Sequence, residues 1–222
     1  DAGISLAPKT HPALWRYPNK PSLGNFTDWK TDTQILCMDG IGSPFVEEFF
    51  TGFEHHLSDS QILIVDESHR LGIVSTRIQT PAHLIQTSSL SKAFGIPAGI
   101  ILGSKDTIET IKKDPFWVGG SPPNPAYVYA CLHAQEAYEE RIILSSELAK
   151  AFTKNTSHVQ YVKNYPAFSS EDPALFDHLK SHGFLCNQFA YPNPDASPLC
   201  RAILPSCLNM QDIEELTHAL ST

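Results

Sequence analysis

Between Ile62 and Gly103 three apolar runs are joined by two polar loops. The first run, Ile62-Leu63-Ile64-Val65, is short, continuous and β-branched, the pattern of a strand covered on both faces. It breaks at Asp66-Glu67-Ser68-His69, so four polar residues arrive together at the strand's carboxyl end. The second run, His83 to Thr87, leads into Ser88-Ser89-Leu90-Ser91-Lys92, and the third, Ala98 to Leu102, closes at Gly103. Upstream, Gln34 to Met38 reads as another buried strand, ending in Asp39-Gly40. Ser43 and Pro44 then supply an N-cap and a first-turn proline. Behind them Phe45, Val46, Phe49, Phe50, Phe53 and Leu57 recur at helical spacing, which predicts a crossover helix back to the Ile62 strand. Strand, helix and strand in this order form the βαβ unit of a parallel sheet, with a right-handed crossover.

Downstream the signals continue. Ser104 is placed to cap a short helix through Lys113, and the stretch from Phe116 to Pro123 reads as a loop because it is rich in Gly and Pro. Asn124-Pro125 repeats the cap-then-proline signature and opens a helix predicted to reach about Lys154. From Ser157 onward the elements shorten. Val159 to Lys163, Phe184 to Ala190 and Leu199 to Leu204 read as strands. A helix opened by Asp172-Pro173 stops at Gly183, and Asn209 caps a last helix with Met210, Ile213, Leu216 and Leu220 on its inner face. The expected division is an irregular arm over 1–33 with one helical turn around Ala13 to Arg16, an α/β domain over 34–135, and a small α+β domain over 136–222. The helix over 124–154 bridges the two domains.

Composition narrows the function classes. The chain has 222 residues, of which 41% are hydrophobic, enough for a substantial core. A net charge of −8 without a basic run argues against nonspecific attachment to nucleic acid or to an anionic membrane. No apolar stretch approaches a bilayer span, and no signal-peptide pattern opens the chain. The five cysteines are scattered without CxxC spacing, which reads as buried free thiols in a reducing cytoplasm and not as metal ligands. The chain starts at Asp1, and the expectation is that sequence upstream of it is not represented.

In open α/β sheets, ligands sit beyond the carboxyl ends of strands, so Asp66, His69 and Lys92 are candidates to converge on one pocket. Singly, each has an ordinary explanation as a turn former, a structural histidine or a solvated lysine. Together they are rarer: an acid and an imidazole three residues apart on one strand tip, then a Ser-rich loop ending in Lys.

These residues resemble the pyridoxal-phosphate enzymes of fold type I, specifically the α-oxoamine synthase group. That group's first motif, V-D-[DE]-[SA]-H-x-x-G, is matched by Val65-Asp66-Glu67-Ser68-His69 and Gly72. Its T-x-G-K-[AG]-x-G loop is similar to Ser89-Leu90-Ser91-Lys92-Ala93-Phe94-Gly95, with Ser91 where Gly is usual. Gly119-Gly120-Ser121-Pro122-Pro123 resembles the family's later Ser- and Pro-containing loop, and Leu199 to Leu204 resembles its L-R-[LI]-x-[LV] strand. The likeness covers about Gln34 to Ala219. It implies a three-layer α/β sandwich with a mostly parallel sheet, in which 34–135 is the C-terminal half of the cofactor-binding large domain.

By the same resemblance, Lys92 carries the cofactor covalently, which requires its amine to lose a proton. Lowering a lysine pKa by ~3 units corresponds to roughly 4 kcal/mol, so a desolvated, cation-rich pocket is expected around it. Asp66 faces the pyridine nitrogen and His69 the ring's 3-oxygen. Ser89 and Ser91 hold the phosphate, Ser121 reaches the phosphate of a neighbouring subunit, and Ser43 stands for the serine of the loop before the crossover. Arg201 grips the substrate carboxylate bidentately from the small domain. The implied reaction is condensation of an amino acid with an acyl-CoA, in a cytoplasmic homodimer with shared active sites. The chain lacks the family's N-terminal ring-stacking and Gly-rich phosphate-turn segments before Asp1.

Three rivals remain open on sequence. An aminotransferase of the same fold uses the Asp, His-like and Lys positions equally well. Residues 62–69 also fit the DExH box of nucleic-acid helicases, but the required GxxxxGK[ST] loop does not occur upstream. A folded, dimer-forming portion without cofactor contacts is the third.

Overall fold

The computed structural model describes residues 13–14, 35–48, 53–74, 76–156, 158–191 and 193–222. The chain divides into two units, Asp1–Ile41 with Phe49–Ala134, and Gly42–Glu48 with Gln135–Thr222.

The first unit is built on a five-stranded sheet in the order β1-β2-β3-β4-β5: β1 (Ala13–Leu14), β2 (Ile35–Asp39), β3 (Ile62–Asp66), β4 (His83–Ser89) and β5 (Gly99–Leu102). The first four strands run parallel and β5 runs antiparallel to β4. Ala13–Leu14, expected in a helical turn, is instead a short strand beside β2. Apolar side chains seed the sheet. Leu36, Met38, Leu63, Val65 and Ala82 form its buried cluster, and along β3 full burial alternates with half-burial, so one face is covered more completely than the other. The parallel register places Asp39 beside Asp66, and Asp66 beside Thr87, so β2 and β3 finish level while β4 runs on to Ser89.

The crossover between β2 and β3 differs from expectation. Gly42–Phe45 turns, with the Gly42 N–H donating to the Glu47 carbonyl at 2.7 Å. Val46 adopts φ 48°, outside the right-handed helical region, and Phe53–His56 is a single 3₁₀ turn. Ser43 and Pro44, joined by a cis peptide, therefore do not open a helix. Phe49 and Phe50 lie outside the described residues.

After β5, Ser104 caps α1 (Lys105–Ile111) as its position predicts, accepting from the Thr107 N–H at 3.2 Å. The stretch read as a loop contains a four-residue helix, α2 (Pro115–Val118). Asp114 caps it and Pro115 sits in its first turn, the same signature that Asn124 and Pro125 give to α3 (Pro125–His133). The single long helix expected from Asn124 is two helices. It breaks at Ala134, whose φ and ψ of −101° and 16° leave the helical region, before α4 (Gln135–Asn155) begins.

The second unit carries a four-stranded antiparallel sheet in the order β6-β7-β9-β8: β6 (Gln160–Tyr161), β7 (Ala167–Ser170), β8 (Asn187–Ala190) and β9 (Pro198–Ile203). With it go α4, α5 (Leu175–Ser181) and α6 (Met210–Ala219). Strand β7 is absent from the sequence reading, because Pro166 and the Ser169-Ser170 pair mask a four-residue strand. Its Phe168 stacks on Phe152 of α4 with centroids 5.1 Å apart, and both are fully buried with Leu148, Leu179 and Ile213. Truncating either ring to alanine would cost about 3–5 kcal/mol. Asn209 forms a full capping box with Asp212 at the start of α6. The Gly42–Glu48 segment joins this unit through the Ser169 hydroxyl, which donates to the Phe45 carbonyl at 2.7 Å, and through the Phe45 ring, edge-on to Tyr191.

Candidate active site

The site grows from the tips of β3 and β4. At the end of β3 the chain turns sharply: the Arg70 and Leu71 N–H groups both donate to the Glu67 carbonyl, and the Glu67 N–H reaches across to the Thr87 carbonyl at 2.7 Å. Asp66 is fixed from two directions. Its carbonyl accepts from the Gly40 N–H, and its Oδ1 accepts from the Ser68 N–H, each at 2.8 Å. Below it Glu67 and Arg70 form a buried ion pair at 3.1 Å, and the Arg70 guanidinium also donates to Thr76 Oγ1 and to the Thr76 carbonyl. An Asp-Glu-x-x-Arg turn thus points one acid toward the strand tip and neutralises the other inside.

The second half of the site is the loop between β4 and β5. Because β5 returns antiparallel, this loop is a hairpin connection, closed by Leu90 N–H to Ala98 O at 2.8 Å and by Ile96 N–H to Leu90 O at 3.2 Å. Lys92 sits in it, and its Nζ lies 2.9 Å from His69 Nε2, within hydrogen-bond distance across the two strand tips. The Ser89 and Ser91 hydroxyls are 2.7 Å apart, and the Ser89 N–H donates to Ser68 Oγ at 2.8 Å. Gly72, at φ 78°, gives the two loops room: a Cβ there would lie 2.9 Å from the Phe94 ring.

Asp66, His69, Ser89, Ser91 and Lys92 therefore belong to one cluster within the first unit. Lys92 is exposed in this chain, so the desolvation expected of it is not supplied by the described residues. Ser121 is also in the first unit, exposed in the segment between α2 and α3. Ser43 and Arg201 are in the second unit. Arg201, in the middle of β9 between Ser169 and Asn187, has its Nε and Nη2 buried with no hydrogen-bond partner among the described residues. Burial lowers its pKa from the usual arginine value, and burial pushes the nearby Tyr165 hydroxyl up to about 12.

One acid escaped the sequence reading. Asp39 is buried at the tip of β2, level with Asp66, and burial raises its pKa above the usual carboxylate value. The signal was the Asp39-Gly40 strand end, which has the same form as the Val65-Asp66 end; only the register shows that the two tips are neighbours. Among the described residues there is no group of three or more His, Cys, Asp or Glu able to hold a metal ion, and no helix long and apolar enough to cross a membrane.

The model of the aminotransferase class I and II family matches residues 43–191. The chain belongs to this family. Among curated proteins, this aminotransferase class I and II chain is 28% identical over 154 residues to a Nostoc punctiforme protein named as an 8-amino-7-oxononanoate synthase, a match covering 65% of this chain and 38% of that protein. Among solved structures, it resembles the 8-amino-7-oxononanoate synthase of Francisella tularensis with a TM-score of 0.66 at 17% identity, covering 85% of this chain and 62% of that one. It also resembles a serine palmitoyltransferase variant from S. paucimobilis with a bound PLP–myriocin aldimine, with a TM-score of 0.67 at 12% identity, over 84% of this chain and 53% of that one. At these identities the likeness establishes the fold, fold type I of the pyridoxal-phosphate enzymes. The chain spans less than two thirds of the length of each of these relatives.

The donor set fits pyridoxal phosphate. A primary amine, an imidazole and a carboxylate stand at adjacent strand tips, with the paired Ser89 and Ser91 hydroxyls on the same loop, which are the groups that an aldehyde, a ring and a phosphate require.

Proposed function

We propose that this chain works in a pyridoxal-phosphate-dependent acyltransferase that condenses an amino acid with an acyl-CoA. The observation that carries the reading is the Lys92 amine 2.9 Å from the His69 imidazole, one turn from Asp66. Lys92 would hold the cofactor covalently, Asp66 its ring nitrogen, His69 its ring oxygen, and Ser89 and Ser91 its phosphate, with Ser121 and Ser43 as further phosphate-side candidates. When bound, the cofactor supplies a sink for the electron pair left on a substrate α-carbon when one of its bonds breaks.

The chain's own residues define the rest. A fixed Asp66 would offer its carboxyl group to the pyridine nitrogen. The Lys92–His69 pair can pass a proton between amine and imidazole at the strand tips. Arg201 brings a guanidinium whose buried Nε and Nη2 have no hydrogen-bond partner among the described residues, and leaving a charge desolvated this way is costly unless an anion arrives, which suits a substrate carboxylate. In the overall reaction, a bond forms between the amino-acid α-carbon and the acyl carbon. The thioester C–S bond and the α-carbon–carboxylate bond break, releasing CoA and carbon dioxide. The exposed apolar side chains on α2 and α3, among them Phe116, Val118, Tyr129 and Leu132, support a homodimer as the working form. A cytoplasmic setting is part of the same proposal.

The Lys92→Ala variant is expected to lose the borohydride-reducible cofactor adduct that the wild-type chain forms. An adduct retained by the variant removes Lys92 from its role. Screening glycine, alanine and serine with acyl-CoAs while following free CoA separates this reading from an aminotransferase of the same family, which would release none.

A further inference from the structure

Strands β3 and β4 part company just where the site begins. Their register ends at Asp66 beside Thr87, and the last cross-strand bond runs from the Glu67 N–H to the Thr87 carbonyl. Beyond that point β3 curls into its turn, while β4 continues through Ser88 and Ser89 with β5 on its other side. The Leu90 N–H is taken by Ala98 of the returning strand. The Ser89 N–H is taken by a side chain, Ser68 Oγ at 2.8 Å. The same residue's backbone N–H donates to Asp66 Oδ1 at 2.8 Å.

We infer that Ser68 is a positioning residue of the cofactor site, its hydroxyl fixing the Ser89-to-Lys92 loop against the turn that carries Asp66. This rests on the cofactor reading above and assigns a role to a residue that the chemistry itself does not need. The hydroxyl stands in for the missing strand partner, so Ser89 keeps an orientation that its own pairing no longer enforces. Ser89 in turn sets Ser91 through the 2.7 Å hydroxyl contact. A second, apolar contact joins the same two loops. Gly72 lies against the Phe94 ring and Ala93, where an added Cβ would come within 2.9 Å and 3.1 Å respectively, and Ala93 is the immediate neighbour of Lys92. Because the bond to Asp66 uses the backbone of Ser68, an alanine there keeps it. Loss of the hydroxyl is therefore felt at the phosphate end of the site and not at the acid end.

That asymmetry is measurable with the full chain. Ser68→Ala is expected to raise the Kd for pyridoxal 5′-phosphate about tenfold, equivalent to ~1.4 kcal/mol, while the Kd for pyridoxal, which has no phosphate, changes by less than about twofold. Ser68→Thr retains a hydroxyl and is expected to hold both values near wild type. In the chain without any cofactor, hydrogen exchange at the Ser89 amide should quicken in Ser68→Ala, with the melting temperature lowered by no more than the few degrees that loss of a single hydrogen bond brings. Equal weakening for both aldehydes, or unaltered exchange at Ser89, overturns the assignment. A wild-type chain that traps neither aldehyde sinks the cofactor reading, and the Ser89 exchange then still decides whether the clamp exists.

Discussion

Removing one partner of the Glu67–Arg70 pair is a direct test of how the turn is held. Both side chains are buried, 1% and 6% exposed, and Arg70 Nη1 reaches the two Glu67 carboxylate oxygens at 3.1 and 3.3 Å. Breaking a pair of this kind leaves a charge stranded away from water and costs about 3–5 kcal/mol, whereas replacing both partners with apolar residues of similar volume is often close to neutral. Glu67→Leu and Arg70→Met should each lower the melting temperature, by ~6 to ~20 °C at about 2–4 °C per kcal/mol for a chain of this size. The double variant should be milder than the two losses added together. Urea unfolding followed by tryptophan fluorescence suits the question, since Trp117 belongs to the unit that contains the pair. A coupling energy below ~0.5 kcal/mol in the double-mutant cycle would refute the reasoning, because exposed pairs give values that small.

Other outcomes follow from the second unit. Tyr165, 3% exposed, has its hydroxyl pKa raised by burial from 10.0 to about 12. The folded state therefore keeps the phenol proton longer than the unfolded chain, so this contribution is complete below pH ~10 and is lost as pH climbs through about 12. The difference amounts to roughly 3 kcal/mol at 1.36 kcal/mol per pKa unit. Tyr165→Phe should flatten the alkaline fall in melting temperature, and an unchanged slope would contradict it. Arg201→Ala is expected to raise the amino-acid KM by at least about tenfold while leaving the cofactor Kd unmoved; an unaltered KM would remove Arg201 from the carboxylate.

The strands were legible where apolar runs were continuous and β-branched, as in β3, because burial selects such residues. Direction was not legible: nothing in Ile100-Ile101-Leu102 distinguishes an antiparallel return from a parallel one, since only the connection decides it. The crossover failed for a related reason. Helical spacing of phenylalanines after Ser43 also suits a segment that packs its Phe45 against Tyr191 and the Ser169 strand, and Val46 at φ 48° enforces that alternative. The break at Ala134 carries no Gly or Pro to announce it. In the site, Asp66, His69 and Lys92 could be named because their side-chain chemistry is unusual in combination. Ser68 and Asp39 could not, since their importance comes from which strand end lies beside which.

The return of β5 has a practical outcome for anyone reshaping this protein. Since the chain doubles back after Lys92 into β5, that loop is closed by bonds between near neighbours in sequence, Leu90 N–H to the Ala98 carbonyl and Ile96 N–H to the Leu90 carbonyl. Short-range closures of this sort form quickly and depend little on distant parts of the chain. Residues 95–97, between the Ala93–Phe94 contact with Gly72 and the closing Ala98, can accordingly be varied: changes that keep the Leu90–Ala98 closure should alter what surrounds the amine without disturbing the strands that present it.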